Sequence, residues 1–404
     1  MKNLLILTYW SYKDALIQTY TLPYVRIIKK NLPQKSKIYL FTIEQDFFKM
    51  TDAQWQQEKE KLKQENIYLI RFRYSKFGLK MILKFIRIFI SLSTLIITKK
   101  ISKIHAWCTP AGAIGYILSV LTFKPLIIDS YEPHAESMVE NGEWIKQSKA
   151  FKILFWFEKK MSRKAKTVIA LTEGMKHYAK QKYNTQFVKY YVKPSMVNLH
   201  KFSFENINND ALIQELRYEN KIVGIYAGKF GGIYLKEEVF QLLKTAYTYW
   251  DDKFRILILT NSSKQEIYDL AKKVNIPKEI LDVKFVNYSE IEKYYKLAHF
   301  AINPVKPVPS KRYCTSIKDG EYWAMGLPVI ITKNISDDSD IIEKENIGYV
   351  LKELNNNEYQ KAILKIDELL KQDKTQLKQK IRNIAIKYRD FSIAEKIYSD
   401  IYKV

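Results

Sequence analysis

Residues 310–332 read SKRYCTSIKDGEYWAMGLPVIIT, and their local chemistry predicts where a helix begins and ends. Ser316 followed by Asp319 has the spacing of a capping box, which predicts a helix that begins at Ile317. Gly326 stands where a left-handed residue would close that helix, and a short apolar run comes next. The stretch therefore predicts a short helix followed at once by a buried strand, as in the repeating unit of a parallel sheet.

Two charged residues of this helix, Lys318 and Glu321, are three positions apart and so share a face. The amino end of a helix presents unsatisfied N–H groups and partial positive charge, to which Lys318 adds a full charge. Glu321 lies one turn deeper, where a carboxylate can accept hydrogen bonds from a diol such as a ribose. An anion beside a diol is what a nucleoside diphosphate presents, so the pattern predicts a nucleotide site. The alternative is a solvated surface pair, which contributes only about a few tenths of a kcal/mol.

The second feature is the sequence KIVGIYAGKFGGIYL at residues 221–235, in which an apolar run ends in a glycine loop. Glycines between a strand and a helix allow phosphate to approach the backbone closely, and we expect the loop to pass into a helix that carries Leu235. The candidate phosphate contacts are Gly228, Lys229, Gly231 and Gly232. The loop matches neither the P-loop nor the dinucleotide-binding pattern, so neither a nucleotide hydrolase nor a Rossmann dehydrogenase is supported. Glycines at such turns also serve purely steric needs.

Short apolar runs alternate with longer helical stretches along the whole chain, which predicts βαβ units and parallel sheets. The chain has 404 residues, enough for two domains of roughly 200 residues each. We predict strands near residues 4–8, 37–42, 66–70, 104–108, 126–129 and 167–171, and again near residues 222–227, 254–260, 283–285, 300–303 and 329–332. The polar, aperiodic residues 191–210 indicate a hinge or linker. The predicted fold class is α/β, with two doubly wound Rossmann-like domains that face a central cleft.

The formal net charge of +24 is the strongest bias in the composition. A basic surface can serve nucleic acid, anionic lipid or phosphorylated substrates, and charge alone does not separate these partners. Most of the excess is lysine, which can also reflect nucleotide bias in the gene. Cys108 and Cys314 form neither a disulfide framework nor a zinc pattern, so we expect inert core thiols in a reducing compartment. The apolar start of the chain is predicted to be a strand rather than a signal peptide.

Residues 76–103, KFGLKMILKFIRIFISLSTLIITKKISK, predict a long apolar helix with basic residues at both ends and inside. A transmembrane span needs about 20 predominantly apolar residues, and Lys84 and Arg87 interrupt this run. Two interpretations fit better and stay open on sequence alone. The helix lies in a membrane interface with a basic face, or it is a core helix whose lysines face water.

The helix and the glycine loop together resemble a known family. EYWAMGLPVI at residues 321–330 resembles the E-x-x-A-x-G-x-P-V signature of the retaining GT-B glycosyltransferases, the large group 1 family of bacterial sugar transferases. Lys318 stands where many members carry a lysine. Residues 226–232 resemble the glycine loop that opens the donor domain of the family.

Two further stretches fit the family in the same order. YVKPSMVNLHKF at residues 191–202 resembles its interdomain segment, and residues 285–304 resemble the part in which a small helix precedes A-D-x-x-x-x-P. The positions in register in the interdomain segment are Pro194, Val197, Asn198 and Phe202. The resemblance implies an acceptor-binding domain at residues 1–198 and a donor-binding domain at residues 199–385, with a C-terminal helix at about residues 386–404 packed on the first domain.

The resemblance also implies roles for individual residues. Glu321 would bind the ribose, while Lys318 and Lys229 would neutralise the diphosphate of the leaving group. Tyr313 stands where many members have a first glutamate, so the residue that faces the transferred sugar is open. Ser316 and the N–H groups beside it are the first candidates for that place. Retention of configuration is implied, but the missing glutamate leaves inversion open.

The first domain offers fewer candidates. A buried strand opens into a loop that holds Glu132 and His134, and strand ends in this fold face the cleft. His134 is therefore a candidate general base or sugar contact, and the family often has a histidine in a matching loop. Trp10 and Lys13 follow the first strand, where the family usually has a glycine pair, and with Glu132 they are the candidate acceptor contacts. His105, in the middle of a strand, is expected to be structural.

The predicted function is transfer of a sugar from a nucleoside-diphosphate sugar to a glycan, polysaccharide or lipid-linked acceptor. We expect no cofactor and no metal, and we interpret the acids at residues 251–252 and 337–340 as loop and helix-cap residues. The expected location is the cytoplasm or the inner face of the plasma membrane, with peripheral contact to anionic lipid and no nucleic-acid partner. Two alternatives stay open: a nucleotide-sugar epimerase on the same scaffold, and a basic protein that binds nucleic acid or another polyanion. Against the last, no recognised nucleic-acid module occurs.

Overall fold

The computed structural model describes residues 2–74, 79–205 and 209–403, without the side chains of residues 79–82. Residues 76–78 of the predicted long helix and residues 206–208 of the predicted linker lie outside the described residues. The chain divides into two compact units. The first comprises Met1–Pro194 and Ser392–Val404, and the second comprises Ser195–Phe391.

The first unit is built on a seven-stranded parallel sheet with helices on both faces. Its strands are β1 (Asn3–Leu7), β2 (Ile38–Glu44), β3 (Ile67–Arg73), β4 (Ile101–Trp107), β5 (Leu126–Tyr131), β6 (Thr167–Ala170) and β7 (Lys189–Val192). The strand order is β3-β2-β1-β4-β5-β6-β7, and strands β1 and β5 are buried along their whole length. Such continuous burial is typical of a parallel sheet covered on both sides.

The direction of the chain through this sheet places its helices. They are α1 (Leu22–Lys30), α2 (Asp52–Gln64), α3 (Leu79–Thr98), α4 (Cys108–Thr122), α5 (His134–Glu140), α6 (Lys149–Lys164) and α7 (Gly174–Tyr183). The chain runs from β1 outward to β3 and then returns from β4 to β7 toward the opposite edge. Because parallel crossovers are right-handed, α1 and α2 cover one face of the sheet, and α3, α4, α6 and α7 cover the other.

The second unit repeats this architecture with a six-stranded parallel sheet. Its strands are β8 (Ile222–Ala227), β9 (Phe254–Leu259), β10 (Leu281–Lys284), β11 (Phe300–Asn303), β12 (Val329–Thr332) and β13 (Gly348–Leu351), in the order β10-β9-β8-β11-β12-β13. Its helices are α8 (Asp210–Leu216), α9 (Glu237–Trp250), α10 (Lys264–Lys273), α11 (Ile291–Tyr295), α12 (Ile317–Ala324), α13 (Asp338–Glu345), α14 (Asn356–Leu370) and α15 (Lys374–Arg389). The predicted parallel α/β architecture is therefore present in both units.

The last helix, α16 (Phe391–Tyr402), belongs to the first unit. Its Tyr398 hydroxyl donates to Asp129 of β5 at 2.6 Å. The limits of the units differ from the sequence-based limits at both ends. The first unit ends at Pro194 rather than at residue 198, because Val197 packs in the second core and its N–H donates to the carbonyl of Arg389. Residues 386–389 complete α15 and so lie in the second unit.

All eleven predicted strands overlap observed ones, whereas β7 and β13 were not predicted. Both are four residues long, and β7 lies partly within the segment interpreted as a linker. Helix α3 ends at Thr98, so residues 101–103, which were assigned to the long helix, are the start of β4. Of the described helices, none has the length and apolar composition needed to cross a bilayer.

Candidate functional site

Helix α12 has the limits that the sequence predicts, but a different amino-terminal chemistry. It begins at Ile317 and ends at Ala324, and Gly326 closes it with φ +71°. A Cβ at Gly326 would lie 2.9 Å from the Cα of Lys378, so the position requires glycine for two reasons. The predicted capping box is wrong, because the side chain of Ser316 makes no capping hydrogen bond.

Asp319, the other half of that expected box, points into the core. Its two carboxyl oxygens accept from the side-chain amide of Asn303 at 2.8 and 2.7 Å. Burial, together with the neighbouring carboxylate of Asp338, raises the pKa of Asp319 well above its usual range. The hydrogen bonds from Asn303 anchor α12 to the end of β11.

The amino end of α12 meets the glycine loop, so the two features predicted separately lie side by side. Lys318 Nζ donates to the Tyr234 hydroxyl at 3.0 Å and lies 4.1 Å from the centre of the Tyr234 ring. A Cβ at Gly228 would collide with this ammonium group. Among the described residues, no carboxylate forms an ion pair with Lys318. Its charge is therefore available to an anion at the loop.

Glu321 is buried one turn deeper in α12, with 3% of its surface exposed. Its Oε2 accepts from the Tyr295 hydroxyl at 3.2 Å, whereas its Oε1 has no hydrogen-bond partner among the described residues. Burial raises the pKa of Glu321 to about 7, although the interactions with Tyr295 and Tyr288 and the charge of Lys318 oppose the rise. A buried oxygen without a donor costs free energy unless a ligand supplies one.

The glycine loop is open on the side away from the sheet. The N–H of Gly228 donates to the carbonyl of Leu259 at 2.9 Å, which fixes the loop to the end of β9. Gly231 and Gly232 have φ values of +79° and +60°, and a Cβ at either position would meet no atom within 4 Å. Lys229 is exposed. The loop thus combines left-handed backbone with open space, as close approach of a ligand requires.

The prediction that this loop passes directly into a helix carrying Leu235 is wrong. Helix α9 begins at Glu237, and Tyr234 instead forms an isolated antiparallel bridge with Val305, in the segment that follows β11. The N–H of Leu235 donates to the carbonyl of Pro304 at 2.8 Å, and the N–H of Lys306 donates to the carbonyl of Ile233 at 3.0 Å. These bonds place Tyr234 beside Lys318.

A recess of about 250 Å³ lies at the carboxyl ends of β9 and β10. Thr260, Asn261, Lys264 and Phe285 are among the residues that line it. Strand β8, which leads into the glycine loop, is the next strand of the same sheet. Ligands of open α/β sheets bind outside the carboxyl ends of the strands, so the recess and the loop occupy the expected edge.

A buried ion pair beneath α12 was missed at the sequence level. Arg389 is 1% exposed; its guanidinium pairs with Asp338 and donates to Thr315 Oγ1 at 2.8 Å and to the carbonyl of Ser195 at 3.2 Å. Asp338 is therefore not the loop or helix-cap acid that the sequence suggested. A Cβ at Gly320 would lie 3.1 Å from the Arg389 side chain, so glycine in α12 leaves room for this group. No local sequence signal joins residues so far apart.

The candidates in the first unit fall into two places. His134 is the first residue of α5, and its Nδ1 lies 3.2 Å from Glu132 Oε1, so these two are in contact. Trp10 and Lys13 interact elsewhere: the carbonyl of Trp10 accepts from the N–H of Ile43 at 3.2 Å, and Lys13 Nζ lies 3.9 Å from Glu58.

Behind this loop, β4 and β5 carry a buried polar network that the sequence did not reveal. His105 Nε2 lies 3.2 Å from Asp129, and Lys193 Nζ lies 3.2 Å from the other oxygen of the same carboxylate. Burial opposes ionisation of Asp129, but the Lys193 ammonium and the His105 and Tyr398 hydrogen bonds lower its pKa to about 2. His105 is a structural residue, as expected, because it joins β4 to Tyr402 of α16 at 2.6 Å.

Of the two cysteines, Cys108 is buried as expected, whereas Cys314 is only partly buried and so is not the core thiol that the sequence predicts. Burial raises the pKa of the Cys108 thiol to about 12, so it is protonated at neutral pH. In the part of the chain that the structure describes, no group of three or more His, Cys, Asp or Glu residues is arranged to hold a metal ion.

Comparisons with known proteins agree with this architecture. Residues 308–401 match the family model for the glucosyltransferase 3-like C-terminal domain. HepE of Anabaena, solved in complex with UDP, is 14% identical, with a TM-score of 0.70 over 100% of both chains. Sucrose-phosphate synthase of Thermosynechococcus elongatus is 14% identical, with a TM-score of 0.71 over 100% of this chain and 98% of its own. WaaG, a glycosyltransferase involved in lipopolysaccharide biosynthesis, is 12% identical, with a TM-score of 0.69 over 99% of both chains.

No curated protein matches the sequence significantly. The solved structures establish the fold, which is that of the GT-B glycosyltransferases, and the family model places the last part of the chain in a glucosyltransferase-type domain. The GT-B fold implied by the sequence resemblance is thereby confirmed.

Proposed function

We propose that this chain, a glycosyltransferase of the GT-B fold, transfers a sugar from a nucleoside-diphosphate sugar that binds to the second unit. The observation that carries the proposal is the juxtaposition of Lys318 with the glycine loop, while buried Glu321 presents an unpartnered Oε1 one turn deeper in the same helix. A cation and helix N–H groups beside a diol acceptor match a nucleoside diphosphate.

The diphosphate would lie between the amino end of α12 and the loop at Gly231 and Gly232. No carboxylate in the described part of the chain forms an ion pair with Lys318, and the backbone of the two glycines leaves open space. When the bond between the anomeric carbon and the diphosphate oxygen breaks, negative charge grows on the leaving phosphate. Fixed positive charge and helix-end donors stabilise that charge more than the ground state, which lowers the barrier.

The ribose would reach Glu321. Its Oε1 accepts a hydrogen bond from a ribose hydroxyl, and the charge of Lys318 and the bound diol favour the ionised carboxylate. The recess lined by Thr260, Asn261 and Phe285 offers a place for the base at the neighbouring strand ends. Because HepE binds UDP and UDP-glucose, uridine nucleotides are the first donors to test.

The remaining roles follow the sequence-based expectations. Ser316, at the amino end of α12, would face the transferred sugar together with nearby N–H groups. His134, oriented by Glu132, would act in the first unit as a base or sugar contact, and Trp10 and Lys13 would contact the acceptor. We propose a glycan, polysaccharide or lipid-linked acceptor, retention of configuration and a cytoplasmic location. We propose no metal requirement, because Lys318 and the helix end supply the positive charge.

Thermal stabilisation by nucleotides tests this donor site. We expect UDP or GDP, or a sugar conjugate of one of them, to raise the melting temperature of the full chain. Lys318→Ala should abolish the shift, whereas Lys273→Ala, an exposed lysine at the far end of α10, should retain it. If no nucleotide or nucleotide sugar stabilises the protein, the donor-site proposal fails. If stabilisation persists in Lys318→Ala, the ligand binds elsewhere.

A further inference from the structure

The outer surface of the first unit is apolar over three neighbouring helices. Helices α3, α4 and α6 lie on the same face of the sheet, and α4 packs between the other two. The Trp156 ring of α6 meets the Tyr116 ring of α4 edge to face, with centroids 6.2 Å apart. The outward faces of these helices therefore form one continuous surface.

Helix α3 is apolar on two sides, and only one of them is explained by the core. Ile88, Leu92 and Ile96 face the sheet and are buried. Leu83 and Ile90 lie outside that stripe and are 60% and 64% exposed. A helix on the surface of a globular unit normally carries polar residues on its outer face.

Exposed apolar side chains also occur on the outer faces of α4 and α6. The exposed side chains of this apolar surface include Leu83, Ile90 and Ile97 of α3, Leu121 and Phe123 at the end of α4, and Trp156 of α6. Phe123 is 88% exposed in a left-handed turn. Scattered apolar side chains on a surface need no explanation, but a contiguous group on three packed helices indicates an interaction site.

The exposed charges that the structure describes on these three helices are all positive. Helices α3, α4 and α6 contain a single carboxylate, Glu158, and it is buried. Lys84 and Arg87 of α3, and Lys149 and Lys152 of α6, are exposed. The surface thus has apolar residues with a basic rim and no exposed acid on the three helices.

We propose that this apolar surface docks the protein on an anionic lipid bilayer. Its apolar side chains enter the boundary between headgroups and acyl chains, while the basic residues contact lipid phosphates. A second copy of the chain fits poorly, because a symmetric contact would set basic rim against basic rim. Nucleic acid also fits poorly, because its interfaces are polar and would leave these apolar side chains in water.

This proposal goes beyond the proposed function and is independent of it, because all the residues involved lie in the first unit and the donor site lies in the second. Docking on lipid would bring the acceptor-binding unit to the surface on which a lipid-linked acceptor is displayed. The proposal combines the two interpretations of the helix at residues 79–98 that the sequence left open. The inner face of this helix packs in the core, and its outer face contacts lipid.

Vesicle cosedimentation of the full chain tests the proposal. We expect binding to phosphatidylcholine vesicles that contain about one third phosphatidylglycerol to be at least about tenfold tighter than to phosphatidylcholine alone, because each basic residue near the surface adds to the attraction. Lys149→Glu with Lys152→Glu should weaken that binding by about tenfold or more. Leu83→Ser with Ile90→Ser should weaken it as strongly.

Two control pairs in the second unit make the test specific. Lys272→Glu with Lys273→Glu changes the net charge equally, and Leu364→Ser with Ile386→Ser removes a leucine and an isoleucine that are 53% and 46% exposed. Both control pairs should bind vesicles like the original protein, and all variants should keep its melting temperature. Absence of binding to anionic vesicles would overturn the proposal, as would an equal loss in the control pairs. Self-association that Leu83→Ser with Ile90→Ser abolishes, without any vesicle binding, would instead identify a second copy as the occupant.

Discussion

The hydroxyl of Tyr295 donates to Oε2 of Glu321 at 3.2 Å inside the second unit, and this bond fixes the direction in which the other oxygen points. Tyr295 is 1% exposed and lies on α11, so the donor is held rigidly by the core. Oε1 is left without a partner among the described residues. The carboxylate is thus oriented but not fully satisfied, which is the condition of a group that awaits a ligand.

Replacement of Glu321 by glutamine should weaken nucleotide binding. Hydrogen bonds to a charged acceptor contribute about 1.5–3 kcal/mol, so we expect the dissociation constant for UDP, or for whichever nucleotide binds, to rise about 10- to 100-fold in Glu321→Gln. Calorimetric titration measures this change. The exposed Glu219→Gln is the matched control and should bind normally. Unchanged affinity in Glu321→Gln would exclude Glu321 from the ribose contact.

The same substitution should change how stability depends on pH. Burial raises the pKa of Glu321 from 4.5 to about 7. Between these values the folded protein holds a proton that the unfolded chain releases, so the stability of the original protein falls as the pH rises through this window. Glu321→Gln removes this pH-dependent contribution to stability, because glutamine does not titrate. Relative to the variant, the original protein should lose on the order of 3 kcal/mol across the window.

Denaturant unfolding at a series of pH values measures the free energy of unfolding of both proteins. Subtracting one from the other cancels the contributions of other titrating groups, such as Glu158. Burial raises the pKa of the Glu158 carboxyl to about 7 as well. The pH dependence of stability of one protein alone would therefore combine the contributions of Glu158 and Glu321. A difference that stays constant from pH 4 to pH 8 would contradict the assignment of a raised pKa to Glu321.

Gly228→Ala should displace the Lys318 ammonium without removing it. The new methyl group would occupy the place of Nζ, and the lysine chain can move aside because it is flexible. The methyl group would also lie 2.9 Å from the hydroxyl of buried Tyr226, at a φ of +157° that side chains rarely adopt. We therefore expect the melting temperature to fall somewhat, and nucleotide affinity to fall by about tenfold or more because a misplaced charge stabilises an anion poorly. Titration and thermal unfolding together measure the two effects. Equal nucleotide affinity would show that the position of Lys318 does not matter for binding.

Arg389→Met should destabilise the second unit. Removing one partner of a buried ion pair leaves the other uncompensated, which costs about 3–5 kcal/mol. Arg389 also holds Thr315 just before α12, so nucleotide affinity should fall with stability. The double variant Arg389→Met with Asp338→Asn should be less destabilised than the single one, because no buried charge is left unpaired. If both variants unfold alike, the ion pair is not the origin of the loss.

The local pattern predicted the limits of α12 well, because those limits depend on neighbouring residues. Ile317, Ala324 and Gly326 follow from spacing and from the need for a left-handed residue after a helix. The strand positions follow from short apolar runs for the same reason. The capping role of Ser316 and Asp319 failed because the core offered Asp319 a partner, Asn303, that no local rule contains.

By itself, the sequence determined the two-unit α/β architecture, the limits of α12 and the presence of Lys318 and Glu321 on one short helix. Only the tertiary structure decided that Lys318 lies beside Gly228 and Tyr234, that Tyr295 orients Glu321, and that Arg389 supports the start of α12 from the far end of the unit. The physical reason is the separation along the chain over which each kind of interaction acts. Helix and strand signals act over a few residues, whereas these contacts join segments far apart along the chain and exist only once the sheet has brought them together.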